Sequence, residues 1–495
     1  MTRWDEIKRD RFTITLFVLF FVIVLARFAL LNQYPLIGTT EPRYAELARK
    51  MLVSGDWVTL WVSEGVPLWG KPPLLFWLDT IAMSWLGMSE FALRLPTFIA
   101  SILTISLLWY WPNTSKSASS QTLFALIASL IYISTPFGFF AAGFVATDIF
   151  LTGGLTLSMV SFWKAVSNEN DAKSTWWRWG FFVGMAIGLL AKGPLALVLL
   201  GLSLFLWMLG SPKDRFFLIL RKLPWIRGLM LMALIAFPWY IMAEIRTPGF
   251  LYHFIIGEHI ERFFVKDWAG GRFAPSHGEP LGMIWWFAIQ SFMPWLLLVI
   301  PALHLKWRDR TKTPNAAIAP SRAPASEMQY LLCWIFAPLL LFSPSRNILE
   351  AYMLTALPAF ALLMSQVVLH LMERSRAWRW SMLLTVPAPL IVIIAIVFFN
   401  PVLDKQSQKH LLKNWTQDTP LVYIGKVPPS AAFYSQNQAV DSPSFAELEA
   451  ILPAPPLPKP LTVVMHQTVY DAMTAEQKSQ WHLVEIYGEY AMLRK

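Results

Sequence analysis

The chain alternates long apolar runs with short polar breaks, and the runs exceed what the core helices of a water-soluble domain require. A hydrocarbon core of about 30 Å needs roughly 20 apolar residues per helix. Such runs recur at about 12–32, 91–111, 121–140, 147–166, 227–244, 281–304, 347–371 and 380–400. A further pair, near 177–191 and 193–210, is separated by the breaker Lys192-Gly193-Pro194, and a shorter run covers about 328–343. Residues 73–88 are apolar but short, and they carry Asp79. From about residue 401 the pattern changes. Leu421–Gly425, Leu461–His466 and Leu483–Ile486 read as short strands, with a proline-rich connector at Pro453–Pro460. The expected fold is an all-α polytopic membrane protein of about 11–13 transmembrane helices over residues 1–400, with a small α/β domain over 401–495.

The basic residues orient these spans. If 73–88 lies along the interface, the clusters Lys213/Arg215/Arg221/Lys222/Arg227, Lys306/Arg308/Arg310/Lys312 and Arg374/Arg376/Arg379 share the side of Arg3/Lys8/Arg9/Arg11. The positive-inside rule then puts the N-terminus in the cytoplasm and the C-terminus outside. The run Phe12–Leu31 is too long for a cleaved signal peptide and reads as a signal anchor.

Composition agrees. Of 495 residues, 56% are hydrophobic and only 15% charged, with mean hydropathy +0.47; a soluble domain averages about 25% charged residues. With 25 Trp, 35 Phe and 13 Tyr, a disordered chain is excluded. A lone Cys333 excludes a disulfide framework and a cysteine-based zinc site. The net charge of +10 is mostly the orientation signal, so nucleic-acid binding is not needed to explain it.

Three segments fall outside, about 33–90, 245–280 and 401–495, and the first two hold the candidate chemistry. Pro42–Val53 has the apolar spacing of an amphipathic interfacial helix, with Glu46, Arg49 and Lys50 opposite. Glu41 at its start reads either as a helix cap or as a catalytic acid. Lys71, before two prolines, suits a phosphate head group or a snorkelling role. Asp148 emerges on the same side among apolar neighbours, as a functional acid or as the cap of the next helix. Lys192 and Arg346 are further outward cations. The second segment supplies His253, Glu258, His259, Glu261, Arg262 and His277 among aromatic residues, as a lid over an amphipathic ligand would. His253 and His259 lack the i, i+4 spacing of a helical metal pair, which leaves a zinc site weakly supported, with Glu41, Asp148 and His259 as weak candidates for a divalent metal. Charge gathered on one membrane face, with almost none at mid-membrane, suits an interfacial enzyme acting on an anionic lipid more than a pump or channel.

TEPRYAELARKML-SGDW, GKPPLLFW and SEFALRLP resemble the first-loop pattern of bacterial ArnT-type aminoarabinose transferases, which with protein O-mannosyltransferases are GT-C glycosyltransferases. The likeness continues through Thr147-Asp148, AKGPLAL at 191–197, FPWY at 237–240, GEHIERF at 257–263 and FSPSRN…LPAFALL at 342–363, about 370 residues in all. It implies inverting transfer of a sugar from a polyprenyl-phosphate donor to a lipid or glycoconjugate acceptor, for ArnT-type members a phosphate of lipid A. The setting implied is the outer face of a bacterial inner membrane, with site and C-terminus periplasmic. It also implies that Glu41, Lys71 and Asp148 line the site. Two departures stand out. Thr40-Glu41 replaces the usual Asp-Glu, and Gly70 replaces the usual Glu before the KPP lysine; both weaken the case for a metal and for aminoarabinose as the sugar. Lys71, Lys192, Arg262 and Arg346 are then the candidates to stabilise the leaving phosphate. A lipid-linked sugar transporter or flippase, or a catalytically inactive relative, is the alternative.

Overall fold

The computed structural model describes residues 3–111, 118–167, 174–210, 221–265, 278–312, 327–398, 400–417, 419–451 and 460–495. These form two compact units. One is built from Met1–Ala29, Asp56–Leu78 and Leu95–Val392, the other from Leu30–Gly55, Asp79–Arg94 and Ile393–Lys495.

Among the described residues, six helices are long and apolar enough to cross a membrane: Arg11–Asn32, Glu90–Leu108, Asp148–Ser167, Trp225–Arg246, Glu350–Arg374 and Arg376–Phe398. The run expected as one straight span at 281–304 is instead two helices, Met283–Phe292 and Trp295–Leu305, bent by 86°. Pro294, at the break, has no N–H with which to continue the first helix. Leu74–Leu86, Ser120–Ser134, Leu195–Leu209 and Glu327–Phe342 are apolar but shorter. At 1.5 Å per residue the first of these reaches only about 20 Å, short of the hydrocarbon thickness.

Within the first unit, helices Asp148–Ser167 and Ser174–Lys192 form an antiparallel pair. Gly180, Gly184 and Gly188 recur every fourth residue and so share one helix face. A methyl group on Gly184 would lie 2.4 Å from Ser158 Oγ, and one on Gly154 would lie 2.8 Å from the Gly184 carbonyl oxygen. Small residues thus let the two backbones approach closely, as membrane helices do where hydrophobic burial gives little drive for association. This seam sets the start of one helix, Asp148, beside the end of the next, Lys192. Deeper along the same helices, Trp111, Phe162, Trp163, Trp207 and Tyr330 form a packed aromatic cluster. Trp111 Nε1 there donates to Glu327 at 2.5 Å.

In the second unit the first-loop helix runs Thr40–Ser54. The sequence pattern set Glu46 and Arg49 on its polar side. Both are in fact buried, because they neutralise each other through two bonds of 2.7 Å. The C-terminal segment forms a five-stranded sheet of β3 (Leu421–Ile424), β4 (Ala439–Ser442), β5 (Thr462–His466), β6 (His482–Tyr487) and β7 (Tyr490–Arg494), in the order β4-β3-β5-β7-β6. The first three strands run parallel, and β7 runs antiparallel to both of its neighbours. Both faces are covered: Val463, Met465 and Leu493 pack with Phe445 and Trp481 on one side, Val464 and Met492 with Leu411 and Trp415 on the other. The three expected strands are present; β4 and β7 join them. The connector at 453–459 lies outside the described residues.

Tyr434 ties this sheet region to the first loop. Its hydroxyl accepts from Leu36 N at 2.9 Å and donates to Glu90 Oε1 at 2.8 Å, and Lys409 pairs with the same carboxylate.

Candidate active site

Asp148 opens its helix and Lys192 closes the next, so each charge also complements the helix end on which it sits. The two side chains form an ion pair, only 13% and 11% exposed. The Lys192 ammonium lies 4.7 Å from the centre of the Tyr352 ring. Gly193 ends the helix at φ +76°, its N–H donating to Leu189 O at 2.8 Å. The ring of Phe254 packs so closely that a methyl group on Gly193 would lie 2.5 Å from Cζ.

The second segment folds as helical turns over residues 250–264, with a π-helix at His253–Glu261. Such irregular helices are rare and often mark functional sites. Glu258 pairs with Arg262 at 2.8 Å. The ring nitrogens of His259 lie 2.7 Å from the Phe254 carbonyl and 3.2 Å from that of Lys192, so His259 bridges the segment to the hairpin at 192–194. Burial, more than any neighbour, holds the His259 pKa below its ordinary value.

Lys71 follows the hairpin of β1 (Trp61–Ser63) and β2 (Val66–Pro67). That loop is fastened to helix Trp225–Arg246 and to the turn after it. Trp239 Nε1 donates to Val58 O at 3.0 Å, Trp69 Nε1 to Thr247 Oγ1 at 3.1 Å, and Arg246 pairs with Asp56 at 2.8 Å. Burial lowers the Lys71 pKa, as do Lys192 and Arg262 nearby, while Glu258 opposes them. A Cβ on Gly70 would lie 3.1 Å from Glu258 Oε1, so this carboxylate rests against the bare α-carbon next to Lys71.

Of the residues singled out in the sequence, Lys71, Asp148, Lys192, Glu258, His259 and Arg262 therefore come together. Others do not join them through any described contact. Arg346 is exposed, and its carbonyl accepts from Glu279 N at 2.9 Å. His253 packs against Trp69, ring centroids 5.6 Å apart. His277 lies outside the described residues. Glu41 belongs to the second unit and is fully buried there, both oxygens accepting from Arg94 at 3.1 and 2.9 Å and one also from Ile37 N at 3.1 Å. Among the described residues no three His, Cys, Asp or Glu converge on a metal position: Asp148 pairs with Lys192, Glu258 with Arg262, and His259 faces two carbonyls.

Known proteins resemble this chain over much of its length. Residues 11–254 match the family model for dolichyl-phosphate-mannose-protein mannosyltransferase. The undecaprenyl phosphate-alpha-4-amino-4-deoxy-L-arabinose arabinosyl transferase of Erwinia tasmaniensis is 28% identical over 360 residues, 72% of this chain and 60% of that protein. A transferase of the same name from Pseudomonas fluorescens is 29% identical over 390 residues, 76% of this chain and 60% of that one. The crystal structure of ArnT from Cupriavidus metallidurans bound to undecaprenyl phosphate superposes with a TM-score of 0.76 at 18% identity, covering 96% of this chain and 97% of that one. In fold the chain is similar to this ArnT structure. The matched stretch spans about three fifths of the length of the first two relatives.

The sequence patterns passed over two residues of this chain. Tyr352, beneath Lys192, sits in an apolar stretch with no local mark. Arg94 had one: it is a lone charge inside an apolar helix, and such residues keep a partner. That partner is Glu41.

Proposed function

We propose that the chain is a membrane glycosyltransferase that moves a sugar from a polyprenyl-phosphate donor to a periplasm-facing lipid or glycoconjugate acceptor, a phosphate of lipid A being the acceptor of first choice. The site and the C-terminus face the periplasm of a bacterial inner membrane, and the N-terminus faces the cytoplasm. The supporting observation is the meeting, among the described residues, of Lys71, Lys192 and Arg262 with the carboxylates of Asp148 and Glu258 at one cluster. The names of the relatives and the undecaprenyl phosphate in the superposed crystal structure point the same way.

An acceptor oxygen attacks the anomeric carbon, the bond from that carbon to the donor phosphate oxygen breaks, and its electron pair stays on the phosphate. The anomeric configuration inverts. Preorganised cations in a partly dry site stabilise the charge gathering on the leaving phosphate, each donor being worth about 3 kcal/mol. An acceptor phosphate is already ionised, so no proton has to move. A hydroxyl acceptor would pass its proton to a base, for which Asp148 is the candidate in this cluster. The ion pair with Lys192 fixes the Asp148 side chain in place to orient the donor sugar.

The test is transfer from undecaprenyl-phosphate sugar to lipid A by the purified chain in proteoliposomes, read by mass spectrometry. Wild type should add one sugar mass, and Lys71→Met and Asp148→Asn should each lose at least about tenfold in turnover. Donor moved across the bilayer without covalent change would support a transporter instead.

A further inference from the structure

Glu258 is out of place in a site for an anionic group. A carboxylate that seeks only to organise cations can do so from outside the cluster, yet this one is 10% exposed and bonded to Arg262 at 2.8 Å. It also rests against Gly70, the neighbour of Lys71, where a side chain would displace it. Among the described residues, and with every group ionised, Lys71, Lys192 and Arg262 supply three positive charges and Asp148 and Glu258 two negative ones, leaving one positive charge.

That balance distinguishes substrate from product. A polyprenyl-phosphate sugar is a phosphodiester with one negative charge. The polyprenyl monophosphate left after transfer is a monoester, and near neutral pH it carries about −1.5 to −2. The empty cluster therefore matches the donor and under-compensates the product.

On the reading that the donor is a polyprenyl-phosphate sugar, we infer that Glu258, seated on Gly70, is a charge-balancing residue that drives release of the polyprenyl monophosphate after transfer. Donor binding draws Arg262 partly away from Glu258 to the phosphate. When the second charge appears on that phosphate, Glu258 repels it and takes Arg262 back. With no side chain at Gly70 the carboxylate rests against that α-carbon, where a methyl group would press on Oε1 at 3.1 Å. Glu258 touches no reacting atom, so it acts through Arg262 and Lys71.

The test compares wild type, Glu258→Gln, Glu258→Asp and Gly70→Ala, all checked for folding by thermal melts. Binding of undecaprenyl monophosphate is followed by intrinsic tryptophan fluorescence, and transfer by steady-state and single-turnover kinetics. Removing one negative charge at close range should tighten monophosphate binding by about tenfold or more, and donor binding by less. Turnover and KM should then fall together in Glu258→Gln, a burst should appear as release becomes limiting, and Glu258→Asp should restore most of the wild-type behaviour. Gly70→Ala, which keeps the charge but crowds it, should shift monophosphate binding the same way by a smaller factor. It should have no further effect in a Glu258→Gln background.

If Glu258 merely propped Arg262 in place, Glu258→Gln would weaken donor and monophosphate alike and lower kcat/KM without a burst. That result overturns the inference and leaves the transferase reading standing. A wild-type chain that neither binds undecaprenyl monophosphate nor transfers sugar overturns both.

Discussion

Arg94 offers a measurement that separates architecture from chemistry at Glu41. Its guanidinium has five N–H donors, and five bonds are made: two to Glu41, two from Nη1 to the carbonyls of Leu31 and Tyr34 at 2.9 and 2.8 Å, and one from Nη2 to that of Pro35 at 2.8 Å. It also lies 3.7 Å from the centre of the Tyr34 ring. Both members of the ion pair are fully buried. Arg94 thus fixes the turn at 31–35 and the start of helix Thr40–Ser54 together. Arg94→Met strands the Glu41 carboxylate in a buried setting, and removing one partner of such a pair costs about 3–5 kcal/mol. Near 150 residues, 1 kcal/mol moves Tm by about 2–4 °C, so the second unit should melt roughly 6–20 °C lower. Glu41→Gln keeps an acceptor and should cost less, about 1.5–3 kcal/mol, the usual worth of a hydrogen bond to a charged group.

The assay is thermal unfolding in detergent of Arg94→Met, Glu41→Gln, and the double variant Arg94→Met with Glu41→Leu, each paired with turnover in proteoliposomes. If Glu41 is held for structure, stability and turnover fall together, and the double variant regains much of what Arg94→Met lost. A coupling of at least about 2 kcal/mol is expected for a pair in direct contact. Glu41→Gln melting like wild type while losing turnover more than a hundredfold would refute this reasoning and assign Glu41 to the chemistry itself. Arg94→Met within about 1 kcal/mol of wild type would refute the burial argument on which the magnitude rests.

Three further outcomes follow from the first unit. Burial, with Lys192 and Arg262 adding to it, lowers the Lys71 pKa below its ordinary 10.5, so donor affinity should fall as pH rises through that lowered value; KM against pH shows this limb, and Lys71→Arg, charged throughout, should abolish it. Burial pushes the Asp56 carboxyl up, but bonds from Trp61, Val58 and Thr59 and the charge of Arg246 outweigh it and leave the pKa low. Its stabilisation is therefore present above the unfolded value near 3.9 and lost as pH falls through the folded one, so Asp56→Asn should cost about 1 kcal/mol at pH 7 and progressively less below about pH 4 in denaturation experiments. Gly193→Ala meets both a positive φ and the Phe254 ring, so it should lower stability by about 1–3 kcal/mol in thermal melts and reduce turnover by shifting Lys192.

The elements were legible wherever one period dominated. Apolar runs of about twenty residues announced the long helices. The alternation in Leu421–Ile424 and the run Thr462–His466 announced strands. Recognition failed where two signals competed. At 281–304 hydropathy is continuous across Pro294, and only chain geometry shows the 86° bend. In helix Thr40–Ser54 the charges of Glu46 and Arg49 read as a solvated face, since a sequence does not show that two charges three residues apart will satisfy each other and be buried. The site divides the same way. Lys71, Asp148 and Lys192 stood out because a charge at the end of an apolar run is costly unless used. Glu258 and Gly70 could be named separately, but their contact joins positions 188 residues apart and depends on the space that a missing side chain leaves. Positions 40 and 70 carry Thr and Gly where the resembled family pattern has acids. Folding returns a carboxylate to the neighbourhood of Gly70 from a different loop, so the charge of this site has to be counted in space and not along the motif.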